Sequence, residues 1–94
     1  ERALMLLLGS MRAEERLAVF LVSLSERLAA RGYSSSAFVL RMSREEIGNF
    51  LGLTLETVSR LFSRLAKSGV LRIQQKQVEI LDMPALRRVA GPHC

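Results

Sequence analysis

The chain has 94 residues, of which 49% are hydrophobic and 24% charged, and its formal net charge is +5. This length and composition predict one small domain with a modest core and argue against a disordered chain. The apolar run Leu4 to Leu8 is far shorter than the roughly 20 residues of a membrane span and shows no signal-peptide cleavage pattern, so we expect no membrane or targeting segment.

The positive charge is concentrated in the second part of the chain. Residues 1–40 contain five Lys or Arg and four Asp or Glu, whereas residues 41–94 contain nine and five. Such an excess favours a polyanionic partner, although charge alone does not separate nucleic acid from an anionic membrane surface or from a contribution to solubility.

The cysteine and histidine content argues against redox, metal and catalytic chemistry. Cys94 is the only cysteine, and His93, the only histidine, adjoins it at the end of the sequence. A disulfide framework or a thiolate cluster for zinc or iron and sulfur is therefore excluded, and a reducing cytoplasm is the expected location. Without a nucleophile beside a base or a metal triad, we predict that the chain is not an enzyme and holds no cofactor.

The first predicted element is a short helical segment with an apolar patch, which Gly9 and Ser10 interrupt. The patch consists of Leu4, Met5, Leu7 and Leu8. Local core packing is one interpretation, but a short apolar helix end with nothing before it to cover it favours contact with a partner. We therefore expect this patch to form a dimer contact.

A second helix is predicted from about Arg12 to Arg31, with its end at Gly32. Its apolar residues recur every three or four positions and define one buried face, so charged residues such as Arg16 are expected to face solvent. That face comprises Leu17, Phe20, Leu21, Leu24 and Leu28. A polar loop follows, and then a short apolar piece, Phe38 to Leu40, that is compatible with a strand.

Two further helices are predicted to be joined by a tight turn. Ser43 and Glu46 form a capping box that begins the first of them, and Gly52 can adopt the left-handed conformation that ends it. Only two residues later, Thr54 offers the N-cap of the next helix, which is expected to span about residues 54–68.

The rest of the chain predicts a hairpin and a final short helix. Two β-prone runs, Val70 to Ile73 and Val78 to Leu81, are separated by four polar residues that suit a hairpin tip. Asp82 and Pro84 then mark a helix that ends at Gly91.

These elements predict a mainly α fold with a small β-hairpin wing, that is, a winged helix-turn-helix. In the second helix of the pair, Val58, Leu61, Phe62 and Leu65 form the core face, and the polar residues cluster on the opposite side. The outer residues are Glu56, Ser59, Arg60, Ser63 and Lys67. Such groups reach base edges and phosphates in a major groove, but solvated helices carry similar faces and some helix-turn-helix domains bind only proteins.

The segment MSREEIGNFLGLTLETVSRLFSRLAKSGVL, residues 42–71, resembles the DNA-binding segment of the Crp/Fnr family of bacterial transcription regulators, especially its Fnr branch. The preceding segment AEERLAVFLVSLSERLAARGYSSSAFVLRMS is similar to that branch as well. The resemblance implies that residues 1–9 end a dimerisation helix and that residues 10–94 form the winged helix-turn-helix. It also implies a homodimer that binds double-stranded DNA as an activator or repressor, meets RNA polymerase, and senses an unidentified ligand or cluster through an N-terminal β-barrel.

The resemblance further assigns residues that read bases. The Fnr-branch pattern of Glu, two residues, then Ser-Arg falls on Glu56, Ser59 and Arg60, and it implies a half-site like TTGAT. Glu56 and Arg60 would read the G·C pair, and Ser59 would discriminate near the outer thymine. The cyclic-AMP receptor branch has Gly in place of Ser59 and Arg in place of Leu55, so both positions favour the Fnr-type site.

The chemistry of the pair supports this assignment independently. Arginine can donate two hydrogen bonds to guanine O6 and N7, a carboxylate can accept one from cytosine N4, and Glu56 can also support the guanidinium of Arg60. The candidates for phosphate contacts are Arg44, Thr54, Thr57, Ser63 and Lys76. The alternative for each is a polar side chain that is only hydrated at the surface. The competing hypothesis is a helix-turn-helix module that binds an acidic protein without base specificity.

Overall fold

The computed structural model describes residues 12–91, which form four helices and three short strands. In chain order these are α1 (Ala13–Ala30), β1 (Ala37–Val39), α2 (Arg44–Leu51), α3 (Leu55–Lys67), β2 (Leu71–Gln74), β3 (Gln77–Ile80) and α4 (Met83–Ala90). The predicted fold class, mainly α with a small β wing, is confirmed.

The end of α1 is set by Gly32, as its sequence predicts. Gly32 has a φ of 86°, its N–H donates to the carbonyl of Ala29 at 3.0 Å, and the N–H of Tyr33 donates to that of Leu28 at 2.9 Å. These two bonds satisfy carbonyls at the end of the helix that would otherwise lack partners, and they require a left-handed residue where glycine is least strained.

A single core connects all four helices with the sheet. Helix α1 packs chiefly against α4, and α3 packs against α2 and β2. Each large apolar side chain buried here contributes about 1.5 to 3 kcal/mol relative to an exposed one. The largest apolar side chains that are almost fully buried are Leu17, Leu21, Val22, Ile47, Val58, Phe62, Leu65, Leu71, Val78 and Leu86. Leu24 and Leu28, which were expected in the buried stripe of α1, are only partly buried.

The sheet contains one strand more than the predicted hairpin. Strand β1 pairs antiparallel with β3, which also pairs with β2, so the strand order is β1-β3-β2. The sequence predicts the apolar piece but places it one residue late, at Phe38 to Leu40 rather than Ala37–Val39. The missing information is the partner, because pairing across about 40 residues leaves no local mark on a three-residue strand.

The hairpin tip is shorter than predicted. Gln74 pairs with Gln77 at the end of the ladder, so only Gln75 and Lys76 form the turn instead of four residues. Gln75 has a φ of 57°, and a positive φ at the first central position is the conformation of a two-residue turn that matches the twist of the strands. The prediction was wrong because polar residues at a solvent-exposed ladder end look like loop residues.

Candidate nucleic-acid interface

The turn between α2 and α3 fixes the direction of α3. Ser43 caps α2, since its Oγ accepts from the N–H of Glu46 at 3.0 Å while the Glu46 carboxylate accepts from the N–H of Ser43 at 2.8 Å. At the other end Gly52 has a φ of 75°, and the N–H of Leu53 donates to the carbonyl of Gly48 at 2.7 Å. The predicted capping box and left-handed glycine are both confirmed.

Gly48 and Arg16 also hold this turn, and neither was predicted from the sequence. A Cβ at Gly48 would lie 2.5 Å from the carbonyl oxygen of Leu53, so no larger residue fits without a backbone shift. One guanidinium nitrogen of Arg16 donates to the carbonyl of Leu51 at 3.1 Å. This hydrogen bond gives a partner to a carbonyl group at the C-terminal end of α2. Arg16 was expected to face solvent, and its actual role depends on a contact 35 residues away in sequence.

Helix α3 begins at a cap formed by two threonines. The Thr54 hydroxyl oxygen accepts from the N–H of Thr57 at 3.1 Å, and the same hydroxyl donates to Oγ1 of Thr57 at 2.9 Å. The predicted N-cap is confirmed. Because the hydroxyl proton of Thr54 is used inside the protein, Thr57 is the member of the pair whose hydroxyl proton can point to a ligand.

The two faces of α3 separate as predicted. Val58, Leu61, Phe62 and Leu65 are buried against the core. On the other side Glu56, Arg60, Ser63 and Lys67 are exposed, and Ser59 is partly exposed. The helix therefore presents hydroxyls, cations and one carboxylate on a single outward surface.

The charged groups of this surface are not paired with one another. Ion pairs within residues 12–91 join Arg72 to Glu79 at 3.3 Å and Arg87 to Glu26 at 3.2 Å, and neither pair involves a residue of this surface. Glu56 and Arg60, one turn apart, do not form the supporting contact that the sequence suggested. An exposed pair gains little in water and loses side-chain entropy, so both groups remain available to a ligand.

The phosphate candidates surround this surface in different ways. Arg44, the first residue of α2, is partly buried, and its guanidinium carbon lies 5.2 Å from the centroid of the Phe62 ring. Ser63 lies on α3 itself, whereas Lys76 is exposed at the wing tip, where its carbonyl accepts from the N–H of Leu40 at 2.7 Å.

Some predicted features lie outside the described residues. They are the apolar patch Leu4, Met5, Leu7 and Leu8, together with His93 and Cys94. Across residues 12–91, no cluster of three or more potential metal-binding side chains is present. The helices found in the same residues lack the length and apolar character needed to cross a membrane.

A helix pair joined by a tight glycine turn and followed by a small sheet defines a winged helix-turn-helix domain. Residues 15–89 match the family model of the Crp-like helix-turn-helix domain. The chain belongs to this family, and its relatives place it in the Fnr-like branch of the Crp/Fnr regulators.

Individual relatives agree with this assignment. The chain is 64% identical over 83 residues to the transcriptional regulatory protein btr of Bordetella pertussis, covering 88% of this chain and 34% of that protein. It is 50% identical over 91 residues to the transcriptional activator protein FnrA of Stutzerimonas stutzeri, covering 97% of this chain and 37% of that protein. The chain thus spans about a third of the length of these relatives.

A solved structure shares the fold. FixK2 from Bradyrhizobium japonicum superposes with a TM-score of 0.83 at 38% identity, covering 96% of this chain and 44% of that chain. The three-stranded wing and the four helices are therefore an arrangement found in the family.

Proposed function

We propose that this chain is the sequence-specific DNA-binding domain of a dimeric transcription regulator, and that α3 enters the major groove. The observation that carries the proposal is the outward face of α3, where Glu56, Ser59 and Arg60 are unpaired within the described residues and stand opposite a buried stripe. The base-reading groups of such a helix are unpaired, and its opposite face is packed against the core. The helix can therefore enter a major groove without a rearrangement of the domain.

The proposed base contacts follow from the chemistry of the two ionic groups. Arg60 donates two hydrogen bonds to guanine, and Glu56 accepts one from the N4 amino group of the paired cytosine. Glu56 lies in the first turn of α3, where the positive end of the helix dipole offsets part of the cost of bringing an anion near phosphates. The Fnr-type pattern makes TTGAT, with ATCAA as its inverted repeat, the proposed target.

The proposed backbone contacts come from three directions. Thr57 and the first amides of α3 approach a phosphate at the helix N-terminus, since an exposed N–H group and the helix dipole favour anions. Arg44 and Ser63 approach phosphates beside the helix, and Lys76 approaches one from the wing. Thr54 is better explained as a cap than as a contact, because its hydroxyl already bonds to Thr57 at both its donor and its acceptor.

The intact protein is proposed to act in the cytoplasm as a homodimer that meets RNA polymerase. Residues 1–9 would end the dimerisation helix, with Leu4, Met5, Leu7 and Leu8 at the contact, and residues 10–94 would form the DNA-binding domain. A sensor outside this chain would hold any ligand or cluster. We assign no cofactor and no enzymatic activity to the chain itself.

A titration of the chain into two labelled duplexes tests this function. One duplex carries TTGAT and ATCAA, the other a scrambled sequence of the same composition, and both are measured at one stated salt concentration. We expect tighter binding to the first, and the ratio is the informative quantity because a weakly dimerising chain lowers both affinities together. Equal affinities would refute base-specific recognition and favour the protein-interaction module.

A further inference from the structure

The guanidinium of Arg44 rests on an aromatic ring of the core. Phe62 belongs to the buried face of α3 and is 1% exposed, yet the guanidinium carbon of Arg44 lies 5.2 Å from its ring centroid. A cation within about 6 Å of a ring centroid is attracted by the negative face of the ring. Arg44 therefore covers the edge of the core where α2 meets α3.

The place of Phe62 on the helix locates the ring that this guanidinium contacts. At 100° per residue, Phe62 lies about 40° from Val58, in the direction of Ser59 at about 100° and Ser63 at about 140°. The ring that Arg44 contacts therefore lies on the side of Val58 that leads to the two serines. Thr57 projects about 100° to the other side of Val58, so Thr57 and the Phe62 ring that Arg44 contacts lie on opposite sides of the Val58 direction.

The contact leaves the hydrogen-bonding capacity of Arg44 intact. Within residues 12–91, Arg44 makes no ion pair and no side-chain hydrogen bond. An interaction with a ring uses the face or edge of the guanidinium as a charge, and the planar set of N–H donors remains able to bind two phosphate oxygens. The contact with the ring restricts the rotamers of Arg44 in the free protein. Less side-chain entropy is therefore lost when Arg44 binds a phosphate.

We propose that Phe62 is a positioning residue for DNA binding, because its ring holds Arg44 in the orientation in which the guanidinium binds a backbone phosphate beside Ser59 and Ser63. This inference rests on the proposed function, since it assumes that α3 lies in a DNA groove. Phe62 would thus contribute to the affinity for DNA in addition to its contribution to the stability of the fold.

A double-mutant cycle tests the proposal with Phe62→Leu, Arg44→Ala and the two combined, on both duplexes. Phe62→Leu is expected to weaken binding roughly two- to fivefold on each duplex, the range given by a partly exposed cation–π contact, and to leave the ratio between duplexes unchanged. Arg44→Ala should weaken binding further and reduce the salt slope by about one. In the Arg44→Ala background, Phe62→Leu should have no additional effect.

Phe20→Leu is the matched control, since Phe20 is also buried but packs against Phe50 with ring centroids 6.0 Å apart. This variant removes a core ring without touching Arg44, and it should leave DNA affinity unchanged after correction for any unfolded fraction. Thermal unfolding of all variants gives that correction.

A proton NMR measurement on the free protein tests the contact between Phe62 and Arg44 separately from the proposed DNA-binding function. The δ and ε protons of Arg44 should be shifted upfield in the proton NMR spectrum by the Phe62 ring, and Phe62→Leu, but not Phe20→Leu, should abolish the shift. Equal effects of Phe62→Leu with and without Arg44, or an absent shift, would overturn the positioning role. A wild type that binds both duplexes equally would refute base specificity alone, whereas no DNA binding at all would overturn both.

Discussion

At the scale of single residues, a carboxylate on the outward face of a basic domain needs an explanation. Glu56 makes no ion pair within residues 12–91 and is exposed one turn before Arg60. General attraction to phosphates would be stronger without it, so we propose that its contribution is selection between base pairs. In this proposal positive charge attracts DNA, and Glu56 with Arg60 determines which base pair is accepted.

Ser59 is predicted to influence the outer position of the half-site. Its side chain is partly exposed on the flank of α3. Replacement by glycine removes the hydroxyl and the Cβ that would contact the neighbouring base. Ser59→Gly should relax or shift the choice at that position while the G·C preference persists. Binding to a set of duplexes varied at each position measures this, and an unchanged profile would remove Ser59 from the base-reading residues.

The two threonines at the start of α3 are predicted to have different roles, Thr54 in the stability of the domain and Thr57 in DNA affinity. Thr54→Ala removes the cap and should lower the free energy of unfolding by about 1 kcal/mol, within the 0.5 to 2 kcal/mol typical of such caps. Thr57→Val removes an outward hydroxyl and should weaken every duplex by a similar factor with little loss of stability. Chemical denaturation and DNA titration of both variants check the assignment, which fails if Thr57→Val alone unfolds the domain.

At the scale of elements, the local signals of the sequence specified the helix pair well. Ser43 with Glu46, Gly52 and Thr54 each act within four residues, so their caps and turn were predictable from the sequence. The pairing of β1 with β3 and the bond from Arg16 to Leu51 were not, because both join residues far apart in the chain. Gly48 left one usable sign, a glycine inside a helix, which often marks a close approach.

Gly48 is predicted to be essential to the angle between α2 and α3. Gly48→Ala should destabilise the domain by about 1 to 3 kcal/mol, the usual cost of overpacking, which outweighs the gain in helix propensity of at most about 1 kcal/mol. Asn49→Ala, at an exposed neighbour in the same helix, is the matched control and should be close to neutral. Denaturant unfolding measures the free energy of unfolding of both variants. A stabilised Gly48→Ala variant would contradict the prediction, because it would mean that the backbone of the turn shifts at little energetic cost.

At the scale of the whole molecule, the fold brings the proposed phosphate-binding residues around α3 from separate elements. Arg44 comes from α2, Thr57 from α3 and Lys76 from the wing, so the proposed phosphate contacts would depend on how α2, α3 and the sheet pack. The sequence predicted each of these residues as a phosphate contact separately, from its residue type. It did not reveal that Arg44 rests on Phe62, because an arginine 18 positions before a buried phenylalanine has no recognisable pattern.

The wing is predicted to contribute through charge alone. Lys76→Ala should weaken all duplexes equally and reduce the slope of log affinity against log salt by about 0.9, the value for one phosphate contact. Arg88→Ala, an exposed cation on α4, removes the same charge and should leave the slope nearly unchanged. A salt series with both variants distinguishes a contact from a general effect of net charge, and equal slopes would exclude Lys76 as a contact.

Recognition of one G·C pair by Arg60 and Glu56 can be tested by changing that pair alone. The affinity of the wild type for the TTGAT duplex is compared with its affinity after G·C is replaced by A·T, and the comparison is repeated with Arg60→Ala. We expect a wild-type preference of about 1 to 3 kcal/mol for G·C and almost none for the Arg60→Ala variant. A preference that survives Arg60→Ala would contradict the placement of the base-reading face.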